Sequence, residues 1–183
     1  EGRDVLLVAP TGGGKTLGGF LPSLVELSQR GPANTPPGVH TLYISPLKAL
    51  TTDVERNLTT PIREMGLPIR VETRTGDTPV SKRQRQKQSP PDILLTTPEQ
   101  LALMCAWEGG RDWFSSLRCV IVDEVHAIWS GKRGDLLNLG LARLNQFAPM
   151  ARRIGLSATV QDPDAIRRWL SPQPRRADLV LGD

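Results

Sequence analysis

Eight consecutive residues, Ala9-Pro10-Thr11-Gly12-Gly13-Gly14-Lys15-Thr16, have the types and spacing to hold a chain of phosphates. Three glycines let the backbone turn tightly and aim successive N–H groups at one point. The backbone of Thr11, Gly12, Gly13 and Gly14 would line that cradle, with a helix start at Lys15 adding the positive end of its dipole. Lys15 would meet the outer phosphates, and the Thr16 hydroxyl would bind a Mg²⁺ ion that travels with them. Ala9 stands where the strict pattern has glycine; the phosphate contacts come from Lys15 and the last glycines, so this departure matters little. The segment predicts a nucleotide site.

A second cluster supplies what such a site needs for hydrolysis. Cys119-Val120-Ile121-Val122 reads as a buried strand, and Asp123-Glu124-Val125-His126 follows it directly. Two carboxylates at the end of an apolar run are costly to place unless a cation meets them. Asp123 would hold Mg²⁺, and Glu124 would take the proton from an attacking water.

The elements that position these residues follow from the patterning. Asp4 to Val8 is a short apolar run that reads as a strand, and Leu17 to Leu27 continues as a helix. Pro22 cannot donate to the Gly18 carbonyl, which predicts a kink between 18 and 22, or else a helix that stops at Leu21. Gln29 to Gly38 is rich in Pro, Gly and Asn and reads as an exposed loop. Further strands are expected at 40–45, 69–73, 92–96, 153–156 and 179–181, with helices from about 47 to 65, 98 to 107, 136 to 147 and 163 to 170. The basic run 82–87 reads as a solvated helix face, and 130–134 as a polar, basic loop. Alternation of apolar runs and helices argues for an α/β fold, a mainly parallel sheet of about seven strands with helices on both faces. Ligands of such sheets bind at the carboxyl edge. The glycine loop and Asp123 would therefore meet there.

At 183 residues, 38% of them hydrophobic, the chain suits one domain with a full core. No apolar run approaches a membrane span, which argues against a membrane partner. Cys105 and Cys119 give neither a metal spacing nor a disulfide framework, as expected in a reducing cytoplasm. A net charge of +4 permits a nucleic-acid partner without arguing for one. A first strand beginning three residues into the chain reads as an excised piece of something larger.

The ordered segments Ala9–Thr16, Asp123–His126 and Ser157-Ala158-Thr159 resemble motifs I, II and III of superfamily-two helicases of the DExH type. Ser45-Pro46-Leu47-Lys48-Ala49-Leu50 resembles motif Ia, Thr96-Thr97-Pro98-Glu99 resembles motif Ib, and Thr75-Gly76-Asp77-Thr78 matches the Gly-Asp element between them. The wording of motif Ia and Lys132-Arg133-Gly134 after the DExH box are most like the Lhr (large helicase-related) group. The resemblance implies a single RecA-like ATP-binding domain over 1–183, with ATP and Mg²⁺ as cofactors. It implies a second RecA-like domain, carrying an arginine finger, elsewhere in the parent chain. It also implies 3′ to 5′ translocation on single-stranded DNA, a link to DNA repair, and a place in the bacterial cytoplasm or nucleoid. By position, Lys15, Asp123, Glu124 and His126 would be catalytic; Thr16 and Asp123 would bind Mg²⁺. His126, Ser157 and Thr159 would couple nucleotide state to strand grip. Pro46, Lys48, Gly76, Asp77, Thr97 and Pro98 would line the nucleic-acid path. On the residues alone Lys48 is an ordinary surface lysine, and Trp129, beside the basic loop, is either packing or base-stacking. Three other readings stay open: a translocase on duplex nucleic acid, an RNA helicase motor, and a nucleotide-dependent binding module with a vestigial ATPase.

Overall fold

Among the described residues, seven four- to six-residue strands and eight helices follow one another along the chain: β1 (Val5–Val8), α1 (Lys15–Ser28), β2 (Thr41–Ile44), α2 (Lys48–Glu64), β3 (Val71–Arg74), α3 (Val80–Gln88), β4 (Ile93–Thr96), α4 (Pro98–Cys105), α5 (Gly110–Phe114), β5 (Cys119–Val122), α6 (Val125–Ile128), α7 (Gly131–Phe147), β6 (Arg152–Ser157), α8 (Pro163–Leu170) and β7 (Asp178–Leu181). They come from a computed structural model that describes residues 2–10, 12, 14–30, 38–171 and 176–182. The strands form one sheet in the order β3-β4-β2-β5-β6-β1-β7, and every neighbouring pair is parallel.

Alternation along the central strands divides the core between two faces. Val120 and Val122 of β5, with Leu42 and Ile44 of β2, join the cluster covered by α4 to α8. Cys119, Ile121 and Tyr43 point to the opposite face, where Phe20, Leu24 and Leu27 of α1 and Val54, Leu58 and Ile62 of α2 cover them. Parallel strands buried on both faces must be apolar throughout, and β5 and β2 are wholly buried.

Four local expectations are refined. Helix α1 continues through Pro22 to Ser28 and does not stop at Leu21; Pro22 lies on the exposed side of the helix. β3 starts at Val71, because Ile69 still closes the preceding turn by donating to the Leu67 carbonyl at 2.9 Å. The basic run lies inside α3, but two of its arginines are tied inward. Arg85 pairs with Glu72 at 2.7 Å, and Arg83 donates to the Thr78 carbonyl at 2.7 Å. The expected loop at 130–134 is instead the first turn of α7. Most of the expected loop from Gln29 to Gly38 lies outside the described residues.

Gly134 accounts for that early start. A Cβ there would stand 2.5 Å from the Ile128 carbonyl oxygen and 2.6 Å from that of Trp129. Only glycine lets the first turn of α7 sit on the end of α6. Gly134→Ala must therefore shift backbone, and we expect it to lower the unfolding free energy by about 1–3 kcal/mol, read by urea titration.

Candidate active site

The strand registers bring one end of the sheet into line. Val8 lies beside Ser157, Gly155 beside Val122, Val122 beside Ile44, and Ile44 and Arg74 beside Thr96. The loops that leave these carboxyl ends share one rim, and they carry most of the residues singled out above. β5 and β1 flank β6, so the Asp123 turn and the glycine loop start two strand spacings apart, about 10 Å.

In the glycine loop, Gly12 and Gly14 have φ of 89° and 71°, the left-handed region that a tight amide cradle requires. Thr11 and Gly13 lie outside the described residues. Gly14 caps α1 without a side-chain hydrogen bond, which leaves the amides of the first turn to a ligand. Gly19 seats α1 on the sheet, since a Cβ there would touch Leu156 at 3.3 Å and Ile121 at 3.7 Å. Thr16 is half-buried at the start of the helix. The Lys15 side chain is buried, and among the described residues its ammonium has a single long contact, 3.5 Å, to the Ala9 carbonyl. A buried cation so weakly satisfied is costly, and a phosphate oxygen is the group that would satisfy it.

Asp123, also buried, spreads its charge over two donors. Its Oδ1 accepts from the Glu124 backbone N–H at 2.8 Å, and its Oδ2 from the Tyr43 hydroxyl at 2.5 Å. Burial, and then the Asp123 charge, push the Tyr43 phenol far above its ordinary pKa, so it stays a donor. Phe20 of α1 stacks on the Tyr43 ring at 5.4 Å and fixes its plane. Glu124 sits at φ 48°, the only non-glycine residue with positive φ among those described. That strain, on the order of 1 kcal/mol, is what turns β5 into α6 within two residues. Strained backbone of this kind gathers at functional sites.

His126 Nδ1 lies 2.9 Å from the Ser157 hydroxyl and 3.4 Å from Glu124 Oε2. Ser157 donates its single proton to the Thr159 carbonyl at 3.0 Å, so it accepts from His126, whose Nδ1 carries hydrogen. Asp123, Glu124, His126, Ser157 and the Thr159 backbone thus form one chain of contacts across β5 and β6. The Thr159 side chain is exposed. Trp129 packs half-buried against the core and lines, with His126, Thr159 and Asp162, a cavity of about 480 Å³.

The other half of the rim, at β2, β4 and β3, carries the remaining candidates. Lys48 and Asp77 form an exposed ion pair at 2.9 Å, with Gly76 directly beneath the lysine. Arg83 donates to the Gly76 carbonyl at 2.5 Å and so braces that turn. Thr97 is buried, and Pro98 opens α4. Arg133 Nη2 donates to the Pro46 carbonyl at 2.9 Å, and its Nε to Glu99 Oε1 at 2.8 Å. Partial burial pushes the Glu99 carboxyl up, but its bond to Arg133, the bonds from its own backbone N–H and from Thr97, and the Arg133 charge together leave its pKa below the ordinary value. Cys105 and Cys119 are free and buried, with thiols pushed up to about 11.

The model of the DEAD/DEAH box helicases matches residues 1–166. The chain belongs to that family. Among helicases of known sequence it is 49% identical over 185 residues to "Lhr helicase/ probable uracil glycosylase" of Mycolicibacterium smegmatis, covering 94% of this chain and 12% of that protein. It is 44% identical to "ATP-dependent helicase Lhr-Core" of Methanothermobacter thermautotrophicus, covering 93% of this chain and 21% of that protein. The structure of Mycobacterium smegmatis helicase Lhr bound to ssDNA and AMP-PNP superposes over the whole chain and 24% of its own length, with TM-score 0.87 and 46% identity. The helicase MrfA bound to DNA and AMPPNP superposes over the whole chain and 25% of its own, with TM-score 0.81 and 26% identity. This helicase domain is thus Lhr-like and has the RecA-like fold of its structural neighbours. It spans between an eighth and a quarter of the relatives named here.

Sequence reasoning passed over Tyr43 in this helicase domain and gave Arg133 and Glu99 no roles. A tyrosine in an aliphatic, fully buried strand is itself a signal, because its hydroxyl must find a partner. Tyr43→Phe keeps the stack on Phe20 and removes the hydroxyl, which donates to Asp123 and also meets the Ser45 side chain. We expect it to lower the unfolding free energy by about 1–3 kcal/mol in urea titrations; an unchanged midpoint and slope would show that the hydroxyl holds nothing.

Proposed function

We propose that this domain is the N-terminal motor half of an ATP-dependent, Lhr-like DNA helicase. It would bind ATP·Mg²⁺ and one strand of nucleic acid, and translocate 3′ to 5′ on single-stranded DNA together with a second RecA-like domain. The observation that carries the reading is the meeting of a weakly partnered, buried Lys15 and a buried Asp123 at one rim, two strands apart. Bound ssDNA and AMP-PNP in the superposed Lhr structure support the same choice of ligands.

The residues divide the work. The amides of Thr11, Gly12, Gly13 and Gly14 and the start of α1 cradle the phosphates, with the Lys15 ammonium on the outermost. Thr16 and Asp123 hold Mg²⁺, whose charge neutralises the phosphate oxygens when it is bound. Among the described residues no group of three or more His, Cys, Asp or Glu forms a cage of its own, which suits a cation that keeps water and phosphate ligands. The Glu124 carboxylate orients the attacking water and accepts its proton. His126, Ser157 and Thr159 carry the position of that turn across to the exit of β6.

On the nucleic-acid side, α2 starts at the rim without a side-chain cap, so its first amides suit a phosphate. The exposed Lys48–Asp77 pair is worth at most about 1 kcal/mol, and a phosphate can displace Asp77 from it. An arginine finger from a partner domain is worth roughly 10³-fold or more in such enzymes, so the domain alone should turn over slowly.

Glu124→Gln in the full-length protein should leave ATP binding intact and reduce turnover by about 10²-fold or more, compared by fluorescent-nucleotide titration and steady-state ATPase assay. Turnover at the wild-type level would remove Glu124 from its role. Strand-displacement assays on the same protein separate a helicase from a translocase on duplex.

A further inference from the structure

Arg133 belongs to neither the nucleotide site nor the strand-facing surface, yet it touches two of the three segments assigned to the strand, at Pro46 and, beside Pro98, at Glu99. Its guanidinium joins the carbonyl of Pro46, after β2, to the carboxylate of Glu99, after β4. Behind it the chain runs without slack to the catalytic turn. Asp123 and Glu124 lead into α6, and Gly134 sits against the Ile128 and Trp129 carbonyls at its end. Helix α7 then packs closely on α4, where Gly140 leaves room for Leu101; a Cβ there would lie 2.8 Å from Leu101 Cδ2. A shift of the turn after β5 would thus pass through α6 to the first turn of α7, and from there through Arg133 to Pro46 and Glu99.

We propose that Arg133 is a positioning residue that couples nucleotide state to the nucleic-acid path by clamping the post-β2 loop and the first turn of α4 to the start of α7. The inference deepens the function proposed above and rests on it. A planar fork is what the place requires: two donors leave Arg133 in different directions, one for a neutral carbonyl and one for a carboxylate. A lysine keeps the charge but cannot hold both partners in that geometry. Arg133 is half-exposed, with 47% of its side chain accessible, so its loss leaves the core intact.

The test measures ATP turnover of the full-length protein with increasing oligo-dT, giving the ratio of stimulated to basal rate and the oligo-dT concentration at half-maximal stimulation. Arg133→Ala and Arg133→Lys should both lower that ratio, by about five- to tenfold. Glu99→Gln should reproduce part of the loss. Arg133→Glu combined with Glu99→Arg, which rebuilds the ion pair but not the bond to Pro46, should recover part of what Arg133→Glu loses. Wild-type stimulation in Arg133→Lys would overturn the clamp and make Arg133 a simple positive charge toward the strand. A double variant no better than Arg133→Glu would overturn it as well. Absence of oligo-dT stimulation in the wild-type protein would instead sink the nucleic-acid reading itself.

Discussion

A carboxylate buried at the end of a central strand is the constraint around which this domain is arranged. Asp123 is buried at the end of β5, whose two faces are covered by apolar residues, and a buried charge needs its oxygens occupied. One oxygen is served locally, by the amide of Glu124, and that bond accompanies the strained left-handed turn that begins α6. The other is served from the adjacent strand by the only tyrosine in the chain. With both oxygens held, the carboxylate has a fixed direction, which a metal-binding group needs before it can be useful. The same contacts lock β2 to β5 at the rim. The two halves proposed for nucleotide and for nucleic acid therefore meet at one buried seam between β2 and β5.

Sheet order explains why that seam lies where it does. With β5 next to β2, the DExH turn borders the post-β2 loop directly, while β6 separates it from the glycine loop. Lys15 can thus face Asp123 across a gap wide enough for phosphates, about 10 Å, whereas Pro46 and Glu99 are near enough to be reached by one arginine from α7. A different strand order with the same motifs would place these distances the other way round. Parallel pairing throughout matters for the same reason, because it sends every loop of interest to the carboxyl end.

Much of this was legible in the sequence because it depends on short patterns. The apolar run Cys119–Val122 bounded β5 to the residue, and Pro163 to Leu170 did the same for α8. Both are local signals, a β-branched stretch and a proline at a helix start. The start of α7 was not legible: the polarity of Ser130 to Gly134 suggests a loop, whereas the packing of Gly134 on two distant-looking carbonyls makes a helix turn there. Tyr43 illustrates the same limit for the site. Its ring is explained by β2 alone, but its hydroxyl acquires meaning only when β5, far along the chain, becomes its neighbour. Arg133 and Glu99 likewise look like ordinary surface charges until the first turn of α4 is set beside α7.

The two halves of the rim differ in how firmly their polar groups are held, and that difference suits a motor. Around Asp123 the bonds are buried and short, and breaking one would leave an unsatisfied group in a dry environment, so this half should move as a unit. Around Lys48, Asp77, Glu99 and Arg133 the pairs are exposed. Each is worth little by itself because water and salt compete for it. The Lys48–Asp77 pair can be exchanged for a phosphate and restored without a large barrier, while the Arg133 clamp and the buried seam keep their geometry. On the proposed reading, a firmly held nucleotide site working against weak, replaceable contacts is the combination that would let a small change at Asp123 become a change of grip.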